Sequence, residues 1–196
     1  MKSFQSFNEQ TYKKIDEILN LEWDMFDKTQ NIDGRASCQN NKDTFILARK
    51  NQFMSWNDSL ITSYLDDLKF ATKNHINLVS QKYGYMMQFT HPQEYDKIKN
   101  LLLPISDFKK NAVNEIVKIQ VEWMEAFHQK YPQVPLYRNI HSSKDTKSET
   151  SFETYFIGEL YSYSDKTIAE YIKYIQILYN ENENMQELLY INSIKK

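Results

Sequence analysis

"DSLITSYLDDLKFATKN", residues 58–74, decides the fold. Leu60, Ile61, Tyr64, Leu65 and Leu68 recur three and four residues apart, the period of an amphipathic helix. The stretch "DKTIAEYIKYIQILYN", residues 165–180, repeats the pattern 107 residues later. Asp58 meets Asp165, Ile61 meets Ile168 and Tyr64 meets Tyr171, while Leu65 and Leu68 meet Ile172 and Ile175.

Working outward, the same spacing predicts helices over most of the chain. "NEQTYKKIDEILNLEWDMFDK" places Ile15, Ile18, Leu19, Trp23 and Phe26 on one face, and Gly34 ends the loop behind it. "DTFILARKNQFMSWN" follows, with Asp43 or Thr44 as its cap. "INLVSQKYGYMMQF" is a further helix, weakened at Gly84, and Pro92 opens a short one. Ser106 caps a long helix over about 109–129. After the polar connection "YPQVPLYRNIHSSKDTKSET", Thr150 to Glu153 reads as a capping box ahead of "FETYFIGELYSY". "NMQELLYINSI" closes the series, and nothing reads as a set of strands.

The halves echo one another beyond that pair of helices. Glu22-Trp23 and Glu122-Trp123 align at an offset of 100, Arg35 and Cys38 meet Arg138 and His141 at 103, and the offset is 107 from there onward. Phe45 meets Phe152, Ser55 meets Ser162, Asn77 meets Asn184 and Tyr83 meets Tyr190. Both changes of offset fall in predicted loops, where insertions are tolerated. The expected architecture is all-α, an internally duplicated helical bundle. It is one domain of two related units, about 8–90 and 105–193, packed about a pseudo-twofold axis.

Composition narrows the function. A formal net charge of −2 supplies no basic field to hold a nucleic acid backbone, and the terminal "SIKK" is too short to change that. A single Cys forms no internal disulfide, which fits a reducing cytoplasm. The first residues lack the apolar core of a signal peptide, and no stretch reaches membrane-spanning length. Nor is there a phosphate-gripping glycine loop, a nucleophile elbow, a Cys-x-x-Cys pair or a basic helix-turn-helix.

A pseudo-twofold axis would bring matched polar residues together: Glu22 with Glu122, Arg35 with Arg138, Cys38 with His141, and Gln52 with Glu159. Gln39 and Ser142 follow directly in each copy. Two inward carboxylates serve as general acid and base or as metal ligands. They serve equally as structural partners, Glu22 of Arg35 and Glu122 of Arg138. A Cys–His pair is the minimum for a thiolate nucleophile, although a lone Cys is often only a small buried hydrophobe. Two guanidinium forks suit a carboxylate or phosphate. "EAFH", Glu125 to His128, has the Glu-x-x-His spacing of di-iron bundles, but the first unit offers "DMFD" at that place, with no His. A metal on Glu22, Glu122, His141 and Glu159 would leave no local spacing.

The expectation is an enzyme acting on a small polar or anionic molecule between the units. Arg35 and Arg138 would hold it, Glu22 and Glu122 would move protons or bind metal, His141 would assist, and Cys38 would attack. A non-catalytic ligand-sensing or interaction module is the other expectation. Cofactor, metal and reaction class are left open.

At "LEWDMF", "GRASCQ", "QFMSW" with "SYLDDL", "IQVEWMEAF", "HSSKDT" and "TSFETYFIGELYSYS" the chain resembles a bacterial family known as domain of unknown function 4125. The resemblance runs from about residue 12 to about 190 and implies a small, soluble, helical bacterial protein. It implies no activity, cofactor or catalytic residue.

Overall fold

The structure, a computed structural model, describes residues 7–30 and 34–194. The start of the "NIDG" turn and the last two lysines of "SIKK" lie outside the described residues. Among the described residues the fold is all-α. Helices α1 (Glu9–Asp27), α2 (Lys42–Phe53), α3 (Asp58–Lys73), α4 (Leu78–Thr90) and α5 (Pro92–Ile98) precede the long α6 (Asp107–Lys130). Helices α7 (Phe152–Ser162), α8 (Asp165–Asn180) and α9 (Met185–Ile194) follow it.

Side-chain caps set most of the starts. Asn8, Asn57, Asn77, Ser106 and Ser164 each accept a backbone N–H from the following turn, satisfying one of the donors a helix N-terminus leaves free. Two expected caps move. Asn41 caps α2, in place of Asp43 or Thr44. Ser151 caps α7, one residue after Thr150, and Glu153 instead accepts the N–H of Ser142 at 2.6 Å. Helix α4 runs unbroken through Gly84, where a Cβ would lie 2.6 Å from a Leu102 methyl. That glycine makes room for a neighbour and does not end the helix.

The two halves share local geometry. Helices α3 and α8 are 16 residues each and start 107 residues apart. Each ends in a residue with positive φ, His75 at 57° and Asn182 at 55°. Beyond it the chain turns back with matching bonds, Ile76 N–H to Ala71 C=O and Glu183 N–H to Leu178 C=O. The Asn that opens the next helix ties it to the first: Asn77 Nδ2 donates to Met25 C=O at 2.7 Å, and Asn184 Nδ2 to Trp123 C=O at 2.8 Å.

Helices α3 and α8 cross antiparallel at the centre, where Ser63 meets Thr167 and Asp67 accepts the N–H of Ser164. Trp56 and Tyr163 stack edge to face there, flanked by Trp56 on Tyr171 and Tyr64 on Tyr163. One cluster of buried side chains draws on α1, α3, α6, α7 and α8 together. It gives the main stabilisation, at roughly 25 cal/mol per Å² of apolar surface removed from water.

Helix α4 lies along α7, and Gly158 makes the approach possible. A Cβ there would stand 2.5 Å from Met86 Cγ and 2.8 Å from the Lys82 carbonyl. This crossing puts Lys82 of α4 against the residue after Gly158, which is Glu159.

The buried faces of α1 and α6 run 98 residues apart. Ile15, Ile18, Leu19 and Glu22 are buried in α1, and Val113, Ile116, Val117 and Gln120 in α6. Gln120, rather than Glu122, therefore occupies the place that Glu22 holds. Two residues along a helix turn a side chain by about 200°, and Glu122 is exposed.

Candidate functional site: a buried ionic crevice

Arg49 stands at the middle of the crevice. Its helix α2 is only weakly amphipathic, and the side chain reaches from it across α1 and α7. Nη2 and Nε donate to the two oxygens of Glu22 at 2.5 and 2.7 Å, a two-pronged pairing that fixes both groups. Nη1 donates to Gln52 Oε1 at 2.6 Å and Glu159 Oε1 at 3.0 Å. Glu159 Oε1 also accepts from Gln52 Nε2 and the Tyr163 hydroxyl, and Oε2 accepts from Lys82 Nζ at 2.7 Å. Tyr64 O–H donates to Glu22 Oε1. Five helices, α1, α2, α3, α4 and α7, thus meet in one network.

All four charges are removed from water: Glu22, Glu159 and Lys82 are 2%, 3% and 7% exposed, and the Arg49 side chain 11%. Two carboxylates balance two cations. Burial alone would raise the Glu159 pKa, yet Arg49 and Lys82 hold it well below the usual carboxylate range. Burial works against the Arg49 cation, and the carboxylates of Glu159 and Glu22 overcome it. Tyr64 and Tyr163 are raised by burial and by the carboxylates they face, so both stay protonated as donors.

A crevice of about 30 Å³ opens beside this network, lined also by Phe26, Phe45, Tyr83 and Tyr155. Its size suits about two water molecules or one small functional group. Lys82 Nζ lies 3.6 Å from the Tyr155 ring centroid, and the Arg138 guanidinium lies 4.5 Å from the same centroid. Burial raises the pKa of Tyr83, with Tyr155 adding to the effect. Arg138 accordingly stands at the mouth, and Cys38 is exposed.

Of the polar residues singled out in the sequence, Glu22, Gln52 and Glu159 come together, and Arg138 lies at the rim over Tyr155. The others do not join them. Exposed Glu122 points away from the crevice for the helical reason given above. Arg35 is not the partner of Glu22: it pairs with Asp27 at 2.5 Å and donates to Asn40 and Gln39 C=O. Buried Gln39 braces the same loop, donating to Phe26 C=O and Thr29 C=O and accepting from Ala36 N–H. Arg138 donates to Thr150 C=O and is not joined to Glu122. His141 pairs with Glu125 at 3.0 Å, not with Cys38, and Ser142 is held by Glu153. Among the described residues no group of three or more His, Cys, Asp and Glu side chains is gathered as a metal would need.

Sequence reading missed Arg49, Lys82, Tyr64 and Tyr163. A usable signal was present: 107 residues beyond Arg49 and Lys82 stand Phe156 and Leu189, so each basic residue fills a position that is apolar in the other half.

Fold and site together define an all-helical protein built around a buried, self-neutralised ionic crevice. No helix among the described residues is long and apolar enough to cross a membrane. The chain belongs to the family described as protein of unknown function DUF4125, which it matches over residues 12–196. No curated protein and no solved structure matches it.

Proposed function

We propose that the chain is a duplicated helical unit, residues 8–90 and 105–193 about a pseudo-twofold axis, and an enzyme whose site is the crevice at Arg49 and Lys82. Its substrate is a small polar or anionic molecule. Support for the duplication comes from the equal lengths of α3 and α8, the paired positive-φ turns and the paired Asn77 and Asn184 bonds.

One observation carries the functional reading. The positions corresponding to Glu22, Arg49 and Lys82 are Gln120, Phe156 and Leu189, all neutral, and Gln52, the counterpart of Glu159, hydrogen-bonds to it within the charged network. The same fold is thus built at its second position without ions. Buried ion pairs cost desolvation that apolar packing of similar volume avoids. Four charges retained on one side only are therefore better accounted for by chemistry than by architecture. With Arg138 added at the mouth the charge sum is positive, which favours an anion. Lys82 and Arg138 would meet its charged group, and Glu22 would transfer the proton.

A second reading, a non-catalytic ligand-sensing module, draws on the completeness of the network. Every carboxylate oxygen of Glu22 and Glu159 already accepts a hydrogen bond.

The test rebuilds the charged crevice in the chemistry of its counterpart, combining Glu22→Gln, Arg49→Phe, Lys82→Leu and Glu159→Gln. The variant should fold and melt at or above the native temperature, by about 1–4 kcal/mol in favourable cases. Native protein and variant are then compared across a panel of small carboxylates, phosphates and sulfonates by thermal shift. Mass spectrometry of each binder after incubation follows. Stabilisation and conversion by the native protein alone support the enzyme, and stabilisation without conversion supports the sensor. A variant that cannot fold, or one that responds to the panel like the native chain, removes the site.

A further inference from the structure

A second cavity, of about 420 Å³, lies between α9, the end of α6 and the chain over residues 134–140. It stands where the charged crevice stands in the other half: Phe152, Leu189 and Tyr190 line it at the positions of Phe45, Lys82 and Tyr83. Ala48 stands where Tyr155 closes the charged side, which is why this one is open. The rings of Phe127, Tyr131 and Tyr190 pack edge-on and tilted against one another beside it.

We propose that this groove binds a medium-chain alkyl carboxylate, its chain along the apolar wall and its anionic end at Arg138. The volume falls in the range of small-molecule sites, about 300–1,000 Å³. Among the described residues Arg138 is the only charged one lining it, and no carboxylate lies within ion-pair distance of it. A wholly apolar ligand would leave that cation unused, and a polar one would leave the walls unmatched. The rim is open to solvent, with Tyr137 94% exposed, so the ligand can enter without unfolding the helices. The groove shares Arg138 with the mouth of the ionic crevice, but its apolar wall is its own, so the dependence on chain length fails or holds whatever the ionic crevice does.

Isothermal titration calorimetry with hexanoate, octanoate and decanoate, below their micelle-forming concentrations, tests it on the native protein. Saturable one-site binding is expected, tightening about fourfold per added methylene, as 0.8 kcal/mol of burial per CH₂ requires. Decyltrimethylammonium should bind at least tenfold more weakly than decanoate. Ala48→Tyr places at an exposed position the ring that Tyr155 provides on the other side, and should cost decanoate at least tenfold. Arg138→Met should erase the preference for carboxylate over ammonium while leaving the chain-length trend. Absence of saturable binding, a flat chain-length series or equal affinity for the ammonium each overturns the proposal on the native protein alone. So does a concentration-dependent dimer, seen by light scattering, that Ala48→Tyr dissolves, because the groove then belongs to a second copy of the chain.

Discussion

Two crevices of this molecule share lining positions 107 residues apart in the sequence and have opposite chemistry. On one side Glu22, Arg49, Glu159 and Lys82 form a neutral set of ions closed off by Tyr83 and Tyr155. On the other, Gln120 donates to Met185 Sδ and accepts from Gln186 Nε2, Leu189 replaces the lysine, and the space is open. Helices α3 and α8 have equal lengths, and the turns after them and the Asn77 and Asn184 bonds beyond match. Charge is therefore a local addition to a frame that stands without it, and each member of the set is tolerated only because the others are present.

That mutual dependence gives the largest expected effect. Arg49→Ala leaves Glu22 and Glu159 buried without their shared cation. Urea unfolding should show a loss of about 3–5 kcal/mol at neutral pH, the range for a broken buried pair. Acid probes the same set in the native protein. Glu159 has a depressed pKa in the folded state, so its contribution is fully present above the ordinary glutamate value and is lost as pH falls through the folded one. Glu159→Gln should flatten that acid limb. An Arg49→Ala protein as stable as the native one would show that the ions do not depend on each other.

The reverse experiment places a charge where the frame has none. Gln120→Glu puts a carboxylate at the position corresponding to Glu22, 1% exposed and without an arginine. A loss of about 2–4 kcal/mol is expected at pH 7. Burial raises the folded pKa of such a group above its unfolded value, so the penalty should shrink as pH falls toward the usual glutamate range. Adding Phe156→Arg should recover part of the loss. Failure of the arginine to recover any of it would break the correspondence between the two sides.

A smaller effect tests how the charged side is assembled. Gly158→Ala drives a methyl against Met86 and the Lys82 carbonyl. About 1–3 kcal/mol should be lost to overpacking, measured by thermal melting. Gly84→Ala should cost less, because it meets only the flexible end of Leu102. If the order is reversed, the α4–α7 crossing is not what holds Lys82 against Glu159.

Much of this frame was legible in the sequence because helix period and caps are local signals. The spacing of Leu60, Ile61, Tyr64, Leu65 and Leu68 specifies α3 without reference to anything outside it. Ser106 and the final turn of α3 were equally readable. The site was less so, since a buried ion looks like a surface ion until its partner is known. Arg49 sits in "FILARKNQF", where a basic residue suits a solvated face. Its partners come from α1 and α7, as far away as residue 159. The Glu22 and Glu122 pairing failed for a different reason. Matching two Glu-Trp dipeptides sets α6 two residues out of register, and on a helix two residues reverse the face. The buried run Val113, Ile116, Val117, Gln120 carries the correct register, but only burial distinguishes it from its neighbour.

The smallest expected effect concerns the loops, where the two sides differ most. Arg35 is tied to Asp27, Asn40 and Gln39, whereas the His141 loop is fastened to α6 through Glu125. Both members of that pair are close to half exposed, so water and salt screen it. His141→Ala should cost about 0–1 kcal/mol, the range of surface pairs, and should leave the melting of the ionic crevice unchanged. A catalytic role for His141 would need it near the charged network, and its partner Glu125 on α6 is not a member of that network. The useful measurement is therefore a pair of titrations on the His141→Ala protein, one with whatever anion stabilises the charged crevice and one with decanoate. An unchanged response to the first together with a weakened response to the second would assign the loop to the open groove. The opposite pattern would return His141 to the ionic site and undo the separation of the two sides.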